Sequence, residues 1–424
     1  MDASGSLRDL LVPETATMRQ ALELINSSGR GIAFVVDDQG RLKGVVTDGN
    51  VRRALLRGVA LDTGVGEVMT KDPVRVKVGT PLEAIMERMS EAIKYIPVTD
   101  DAGKVMDYVA FAGAMRLPVA APSFSGNELR YVTECVLTSW ISSRGRFVSE
   151  FEQLFAKFVG VKHAIAVTNG TAALHLGLVL ANVGPGDEVI VPTLTFIATA
   201  NAVRYTGATP VFVDSEPRTW NMDPEDVARK VTARTRTIIP VHLYGHPADM
   251  APILDLAGQR GLWVIEDAAE AHGALYKGQR VGGLGRIGCF SFFGNKIVTT
   301  GEGGMLVTDD DEIAERARML QAHGMSPNRK YWHDAVGFNY RLTNLQAAIG
   351  VAQMEQIDTF LDRRARLGAL YASLLNSARL ELPVQAPWAQ RVNWLYTVLV
   401  RDGLDRDRLI AALQENGVES RPVF

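Results

Sequence analysis

The chain has 424 residues, of which 47% are hydrophobic and 22% charged, and its formal net charge is −3. This length predicts two or three domains, and the near-neutral charge excludes a broad basic surface for nucleic acid or anionic membranes. The sequence has no N-terminal signal pattern and no apolar run of the ~18 residues that a membrane span requires. Cys135 and Cys289 both lie in apolar contexts, which is typical of buried thiols in a reducing compartment. We therefore expect a cytoplasmic protein with no nucleic-acid or membrane partner.

The first 118 residues contain an internal repeat. Thr17 and Thr80 each precede an apolar helical pattern, because threonine caps helix N-termini, and Pro81 suits the first helical position of the second copy. Each helix leads to two strands joined by an Asp-Asp-x-Gly turn. The predicted strands are residues 32–36 and 44–47 in the first copy and 95–98 and 105–110 in the second. Two such copies indicate a pseudo-symmetric α/β module.

This segment, from about residue 7 to 117, resembles a tandem CBS domain pair. The run from Gly44 to Arg53 (GVVTDGNVRR) is similar to the adenosine-ribose motif of that family. The family usually has an aspartate where this chain has Asn50, and an amide accepts the two ribose hydroxyls less well than a carboxylate does. The second copy, from Tyr108 to Gly113, lacks the threonine and the acid. Two interpretations stay open: weakened adenine-nucleotide sensing, and a purely structural or dimerising module.

The segment from Leu117 to Pro122 contains two prolines, which restrict the backbone and disfavour continuation of a helix. It predicts a linker between a first domain at residues 1–118 and a large domain at residues 119–365. Two helices, at about 128–138 and 148–158, are expected after the linker, with a loop of small hydroxyl residues between them.

Short apolar strands then alternate with helices, which is typical of a mostly parallel sheet covered on both faces. Ligands of such sheets lie beyond the carboxyl ends of the strands. The strands are predicted at residues 164–167, 188–191, 210–213, 237–241 and 263–267. Gly170, Phe196, His242 and Asp267 follow or end strands of this set, so we expect them to converge.

One of these strand ends has the features of an anion site. The strand at 164–167 is followed by Thr168-Asn-Gly-Thr171 and by a helix that begins near Ala172. Free backbone N–H groups and the helix dipole favour a phosphate at such a helix N-terminus. The alternative is a capped helix with nothing bound.

Lys296 lies in a predicted turn between an apolar strand, Cys289 to Phe293, and a glycine-rich loop, Gly301 to Gly304. Loss of solvation lowers the pKa of an ammonium group and leaves a nucleophilic amine, which a Schiff-base lysine requires. A surface lysine in a hairpin turn is the alternative.

Asp267 ends an apolar strand, where a carboxylate must be paired to stay charged. A protonated pyridine nitrogen is one such partner, and a helix N-cap is the alternative role.

Several other motifs are rejected. Gly283, Gly285 and Gly288 match the G-x-G-x-x-G pattern of dinucleotide-binding sites, but no good strand precedes them and a strand rather than a helix follows. The seven histidines do not have metal-ligand spacing, so we expect no metal site. No G-x-S-x-G hydrolase motif occurs.

The last part of the chain is predicted to be mainly helical. The acidic run at 309–312 is expected to cap a helix at 313–320, and a long helical pattern extends from about 344 to 375. A strand at 394–401 and a helix at 407–416 follow. Because the chain stops at Phe424, where another element is due to begin, we expect a truncated small domain at residues 366–424.

Four motifs in this order resemble the sugar-nucleotide aminotransferases of the DegT/DnrJ/StrS family. They are Asn169-Gly-Thr-Ala172, Glu266-Asp-Ala-Ala-Glu-Ala-His-Gly273, Ser291-Phe-Phe-Gly-Asn-Lys296 and Gly337-Phe-Asn-Tyr-Arg-Leu342. The resemblance implies the fold type I architecture of pyridoxal phosphate (PLP) enzymes for residues 120–424. Within the family it extends to the enzymes that aminate C4 of a nucleotide-linked 4-keto-6-deoxyhexose.

The resemblance also implies roles for individual residues. Lys296 would form the Schiff base with PLP and move a proton during the reaction, and Asp267 would keep the pyridine nitrogen protonated. Phe196 would stack on the ring, and Glu270 would approach the ring hydroxyl, where many relatives have glutamine. The remaining implied contacts are Gly170, Thr171 and Ser291 to the phosphate, Asn339 to the phosphate of a neighbouring subunit in a homodimer, and Ser142, Ser143, Arg144, His242 and Arg341 to the substrate.

The implied reaction transfers an amino group from glutamate to the keto sugar. The related 3-dehydratases have histidine where this chain has Lys296, so the lysine favours transamination. Two alternatives stay open: amination at C3 of a different keto sugar, and a nucleotide-sensing regulatory protein with an impaired catalytic domain.

Overall fold

The computed structural model describes residues 7–90, 93–110, 117–375, 379–401 and 403–424. Contacts within the chain separate two units. One comprises Met1–Leu117 with Glu415–Val418, and the other comprises Pro118–Gln414 with Glu419–Phe424. The further division of the second unit at residue 365 stays a prediction.

The first unit contains two similar halves, as the repeat predicts. Each half forms a three-stranded sheet in which the first two strands are parallel and the last two antiparallel. The elements are β1 (Leu11–Pro13), α1 (Met18–Ser28), β2 (Ile32–Val36), β3 (Leu42–Thr47), α2 (Asp48–Leu56), β4 (Val76–Lys77), α3 (Leu82–Met86), β5 (Tyr95–Thr99) and β6 (Val105–Ala110).

The two repeat helices differ in length. The Thr17 hydroxyl accepts a hydrogen bond from the Gln20 N–H, and the Gln20 side-chain oxygen accepts one from the Thr17 N–H, so α1 begins at a complete capping box. The second helix, α3, has five residues and ends at Met86, whereas α1 has 11. The chain tightens there into a turn in which the Met89 N–H donates to the Met86 carbonyl at 3.1 Å.

The second unit is built on a seven-stranded sheet of order β7-β15-β14-β11-β10-β8-β9. Neighbouring strands from β14 to β9 are parallel, and only β15 runs antiparallel to both of its neighbours. Helices cover both faces, which confirms the expected fold class. Its elements up to the last sheet strand are α4 (Glu128–Leu137), α5 (Arg146–Val159), β7 (His163–Val167), α6 (Gly170–Leu180), β8 (Glu188–Pro192), α7 (Ala198–Tyr205), β9 (Thr209–Val213), α8 (Pro224–Lys230), β10 (Thr235–Ile238), α9 (Met250–Arg260), β11 (Trp263–Asp267), β12 (Leu275–Tyr276), β13 (Gln279–Arg280), β14 (Ile287–Ser291) and β15 (Gly304–Thr308).

The apolar runs of the sheet strands follow from burial on both sides. In β14, Ile287 and Cys289 pack in one core cluster while Phe290 packs in the other, together with Phe155 of α5. Successive side chains of a strand point to opposite faces, so a strand buried on both faces is apolar throughout.

Several predicted elements of the second unit are wrong in extent. The strand β10 ends at Ile238 rather than 241, since Pro240 has no N–H for the sheet. The predicted helix at 344–375 is two helices, which separate at Gln356, where φ is −114°. Of the strand predicted at 394–401, only Leu399–Val400 forms. The remaining elements are α10 (Asp311–Gln321), α11 (Asn344–Met354), α12 (Ile357–Leu374), β16 (Leu380–Glu381), β17 (Ala389–Gln390), β18 (Leu399–Val400) and α13 (Arg406–Glu415).

None of the helices in the described part of the chain combines the length and the hydrophobicity needed to cross a membrane.

Candidate functional site

Lys296 lies in a tight turn beyond β14, and its backbone N–H donates to the Phe293 carbonyl at 2.9 Å. The strand ends at Ser291, two residues earlier than predicted. Burial lowers the pKa of the Lys296 ammonium, and the nearby carboxyls of Glu270 and Asp267 oppose this effect. The structure therefore brings the lysine and two acids together, and the alternative of a surface lysine is wrong.

Asp267 is the last residue of β11 and is 6% exposed. Its Oδ2 accepts a hydrogen bond from the Thr199 hydroxyl at 2.7 Å, and its Oδ1 accepts one from the Ala269 N–H at 3.2 Å. Burial raises the pKa of this carboxyl, while the two hydrogen bonds and Lys296 lower it. A turn follows Asp267 rather than a helix, so the N-cap alternative is wrong. The carboxylate retains capacity for a further donor.

Glu270 lies in the turn after β11 and is 4% exposed. Its Oε2 accepts a hydrogen bond from the Tyr244 backbone N–H at 2.7 Å. Burial raises the pKa of Glu270 to about 7; Asp267 adds to this rise, while Lys296 and the Tyr244 N–H oppose it. The carboxyl can therefore hold or release a proton near neutral pH.

The predicted phosphate residues come together at the N-terminus of α6. Asn169 caps this helix, accepting a hydrogen bond from the Ala172 N–H at 2.8 Å. A Cβ atom added to Gly170 would lie 2.8 Å from the Ser291 Cβ. Only glycine allows this approach, which places the start of the helix directly against Ser291, with Thr171 as its second residue.

Phe196 precedes α7, and 55% of its surface is exposed. Its carbonyl accepts a hydrogen bond from the Thr199 N–H at 3.1 Å. Since Thr199 in turn binds Asp267, the segment with Phe196 is tied to the end of β11.

Asn339 and Arg341 lie next to the turn that precedes α6. The Tyr340 carbonyl between them accepts a hydrogen bond from the Thr168 N–H at 2.8 Å. Asn339 is exposed, and its Oδ1 accepts hydrogen bonds from Arg341 Nε and Nη2 at 3.3 and 3.0 Å. A contact from Asn339 to a second subunit stays a prediction.

The loop with Ser142, Ser143 and Arg144 contacts the start of α11. The Ser142 carbonyl accepts a hydrogen bond from the Asn344 N–H at 2.7 Å, and the side chain of Arg144 is exposed. A substrate role for this loop stays a prediction.

The predicted substrate contact of His242 is wrong. Its ring is fully buried, and both nitrogens have partners within the protein. Nδ1 accepts a hydrogen bond from the Ala248 N–H at 3.1 Å, so Nε2 carries the proton and donates to Glu266 Oε2 at 2.9 Å. The histidine supports the sheet instead of facing a ligand.

The rejected glycine pattern has a different function from dinucleotide binding. The backbone N–H groups of Gly282, Leu284 and Gly285 donate to the Glu266 carboxylate at 2.7, 2.7 and 2.6 Å. Glu266 is fully buried. The loop therefore holds an internal carboxylate.

Sequence reasoning missed Thr199 and Trp394. Thr199 is fully buried and binds Asp267 directly. The ring centroid of Trp394 lies 3.8 Å from the Lys296 Nζ. No local pattern indicated either contact, because both partners are distant in the chain.

The arrangement fits PLP. It has a partly buried amine whose pKa is lowered, a carboxylate with spare capacity for the ring nitrogen, and a helix N-terminus packed against a serine for the phosphate. All of them lie at the carboxyl edge of a mostly parallel sheet, which defines a PLP-dependent enzyme of fold type I.

The model of the DegT/DnrJ/EryC1/StrS aminotransferase family matches residues 122–424, and the CBS domain model matches residues 7–57 and 65–110. The chain therefore belongs to the DegT/DnrJ/EryC1/StrS aminotransferase family and has an N-terminal CBS domain pair. Both resemblances predicted from the sequence are confirmed, as are PLP as the cofactor and transamination as the reaction class.

Two relatives and one solved structure illustrate the similarity. The chain is 55% identical to a GDP-perosamine synthase from Caulobacter vibrioides, covering 73% of this chain and 84% of that protein. It is 40% identical to a dTDP-3-amino-3,4,6-trideoxy-alpha-D-glucose transaminase from Streptomyces venezuelae, covering 72% and 81%. The PLP form of the putative sugar aminotransferase Spr1654 from Streptococcus pneumoniae is 27% identical, with a TM-score of 0.69 and coverage of 73% and 85%.

Proposed function

We propose that the protein transfers the amino group of glutamate to C4 of a nucleotide-linked 4-keto-6-deoxyhexose. The observation that carries this proposal is the partly buried Lys296 beside the buried carboxyl groups of Asp267 and Glu270, in a chain that is 55% identical to a GDP-perosamine synthase. The product is a 4-amino-4,6-dideoxy sugar nucleotide, a precursor for surface polysaccharide.

The residues that would hold the cofactor are those that the structure brings to the sheet edge. Lys296 would bind its carbonyl carbon, Asp267 its ring nitrogen and Glu270 its ring hydroxyl. Gly170, Thr171 and Ser291 would bind its phosphate, and Phe196 would cover its ring. When bound, PLP supplies an electron sink that stabilises negative charge on the carbon next to the amine.

Lys296 acts as the base and acid of the reaction. Because burial lowers the pKa of its ammonium group, a larger fraction of the amine is neutral and able to accept a proton at Nζ. The two carboxyls beside it stabilise the ammonium that then forms, so the same atom can return the proton.

Asp267 and Glu270 differ in the protonation state that the reaction requires. Asp267 must be ionised to keep a ring nitrogen protonated, and the Thr199 hydroxyl and the Ala269 N–H stabilise that form. Glu270, with a pKa of about 7, can donate its proton to the ring hydroxyl or accept one from it. A glutamine at this position could form hydrogen bonds with that hydroxyl but could not transfer a proton to or from it.

We expect a homodimer in which Asn339 reaches the phosphate site of the second copy. The exposed large apolar side chains on α4 and the following loop support a protein interface. They are Leu129, Val136, Leu137, Trp140 and Ile141.

Coexpression of K296A and N339A chains tests this arrangement. A mixed dimer has one site with both residues intact, so activity returns if Asn339 acts across the interface. If Asn339 serves the site of its own chain, both sites stay defective and the mixture is inactive.

Turnover measurements test the main proposal. The purified protein is incubated with PLP, glutamate and GDP-, UDP- or dTDP-linked 4-keto-6-deoxyhexoses, and NMR locates the new amine. Amination at C4 supports the proposal, and no turnover by the wild type with any of these sugars overturns it. Amination at C3 supports the alternative that the similarity to the Streptomyces venezuelae transaminase favours. The variant K296A is the inactive control.

The first unit has a cavity of about 540 Å³ that supports a second function, binding of an adenine nucleotide. Arg30, Arg53 and Lys94 at this cavity supply positive charge for phosphate groups. The Asn50 Oδ1 already accepts hydrogen bonds from the Thr47 N–H and hydroxyl at 3.1 and 2.6 Å. This engagement weakens its recognition of a ribose.

Calorimetry of the full chain with AMP, ADP and ATP tests the nucleotide site. We expect weak binding that R53A reduces and N50D strengthens, because a carboxylate has further acceptor sites. If no nucleotide binds to the wild type or to N50D, the module has a structural role.

A further inference from the structure

Trp394 presents its ring face to the reactive lysine. The Lys296 Nζ lies 3.8 Å from the ring centroid, well within the ~6 Å over which a cation is attracted to an aromatic face. Trp394 is 4% exposed, so water screens this contact little. Tryptophan has the strongest such attraction among the aromatic side chains.

Two contacts of the indole ring and one of its backbone hold Trp394 in this orientation. Trp394 Nε1 donates to the carbonyl of Asn295, the residue before Lys296, at 2.8 Å. Arg364 of α12 donates to the Trp394 carbonyl, also at 2.8 Å. The ring stacks on Tyr244 with a centroid distance of 6.2 Å and an interplanar angle of 15°. The face is therefore positioned independently of Lys296.

The charges around Lys296 leave a specific role for the ring. Asp267 and Glu270 attract the ammonium, and burial disfavours it. The nearby His272 ring stays neutral because burial lowers its pKa to about 3, and the Tyr244 hydroxyl stays neutral because burial raises its pKa to about 12. Both acids are needed for the cofactor ring in the proposed function, so Trp394 is the attractive partner that stays available to the lysine.

We propose that Trp394 is a positioning residue that holds the Lys296 ammonium through its ring face whenever the amine is not bonded to the cofactor. The proposal rests on the proposed role of Lys296. The ring of Trp394 keeps Nζ beside the reaction centre while the lysine carries a proton. It also stabilises the ammonium form, which burial disfavours.

Two effects of removing the ring have opposite signs. Loss of the cation–aromatic attraction lowers the pKa of Lys296, whereas water that enters the vacated space raises it towards its ordinary value. The direction of the shift in the pKa of Lys296 therefore distinguishes an electrostatic role of Trp394 from a role in excluding water.

The experiment measures how fast a small acylating reagent modifies the Lys296 amine of the cofactor-free full chain as a function of pH. Mass spectrometry of the peptide that contains Lys296 gives the midpoint. We expect W394L to move the midpoint down by about 0.5 to 1.5 pH units and W394F to move it less. The matched control W388L removes a tryptophan of the same segment and is expected to leave the midpoint unchanged. An unchanged or raised midpoint in W394L overturns the proposal.

Fluorinated tryptophans at position 394 cover the case in which W394L does not fold. Fluorine withdraws electron density from the ring face and hardly changes its packing, so each added fluorine is expected to lower the midpoint further. A midpoint that does not change with the number of fluorine atoms overturns the proposal. Because this readout needs no sugar substrate, it can succeed when the turnover screen fails, and the two proposals fail separately.

Discussion

Glu266 and Asp267 are adjacent at the end of β11, but they lie on opposite sides of the sheet. Glu266 is fully buried and accepts four hydrogen bonds, from His242 and from three backbone N–H groups of the loop at 282–285. Asp267 accepts two, from Thr199 and Ala269, and lies near Lys296. The protein satisfies one carboxylate internally and leaves capacity on the other.

This difference shows what makes a ligand site in this fold. Both sides have a glycine-containing turn with backbone N–H groups, at 282–285 and at 169–171. On the Glu266 side a side chain of the protein occupies the donors, whereas on the Asp267 side the turn opens a helix N-terminus beside Ser291. Incomplete satisfaction of buried polar groups distinguishes the candidate site from the structural one.

Replacing Asp267 should have the largest effect. We expect D267A to reduce glutamate-dependent turnover by about 10³-fold, because no carboxylate would keep the ring nitrogen protonated. Its unfolding free energy without cofactor should change by less than about 1 kcal/mol, since a buried carboxylate with few partners is removed. Steady-state kinetics measures the turnover, and urea denaturation measures the unfolding free energy. The variant D267N keeps the shape of the side chain without its charge and serves as the control. A variant that retains a tenth of the activity would contradict the proposed role.

Replacing Glu266 should affect stability instead. In E266A four donors lose their acceptor, and we expect the unfolding free energy to fall by about 3 kcal/mol. All six tryptophans lie beyond residue 118, so tryptophan fluorescence in urea reports on the second unit alone. The variant E266Q keeps one acceptor oxygen and should lose less. Equal stability of E266A and the wild type would refute the internal role of the glycine loop.

Glu270 gives the Asp267 side a pH-dependent contribution to stability. Its pKa is raised from 4.5 to about 7 by burial, so the folded state binds a proton more tightly than the unfolded state. The resulting stability is present below pH 4.5 and is lost as the pH rises through 7. We expect the cofactor-free wild type to lose about 2 kcal/mol over this interval, and E270Q to lose much less. Urea midpoints at pH 5 and pH 8 measure this difference, and identical pH profiles would exclude Glu270 as its source.

Matched glycine substitutions should separate the two turns with the smallest effects. A Cβ on Gly170 would lie 2.8 Å from the Ser291 Cβ, and a Cβ on Gly285 would lie 2.8 Å from the Val264 carbonyl oxygen. We expect G170A to weaken PLP binding about tenfold, equal to about 1.4 kcal/mol, and to lower stability about as much as G285A does, because the two contacts are equally close. G285A should lower stability by about 1 to 2 kcal/mol and leave PLP affinity unchanged. Fluorescence titration measures the PLP affinity of the two variants, and urea denaturation measures their stability. Weaker PLP binding by G285A but not by G170A would contradict the assigned roles of the two turns.

Much of the candidate site was predictable because its residues follow strand ends or helix starts. Lys296, Asp267, Gly170 and Ser291 each lie within a short motif whose local structure is set by neighbours in the chain. Parallel strands then bring these ends to one edge, so alternation of strands and helices was enough to expect them together. The predicted ends of strands were wrong where a local feature such as Pro240, or a distant contact at Trp394, interrupted the periodicity.

His242 shows the limit of this reasoning. It follows a strand, as a ligand contact would, but only the folded chain shows that Ala248 and Glu266 occupy both ring nitrogens. The same holds for the glycine loop at 282–285, whose N–H groups are occupied by Glu266 of β11.

The sequence by itself determined the family, the sheet class, the lysine and the acid that ends β11, because motifs and hydrophobic periodicity are properties of neighbouring residues. Only the tertiary structure decided which polar groups are satisfied inside the protein and which aromatic face meets Lys296. Those outcomes depend on contacts between residues up to a hundred positions apart, as between Asn295 and Trp394, and no local pattern encodes such distances.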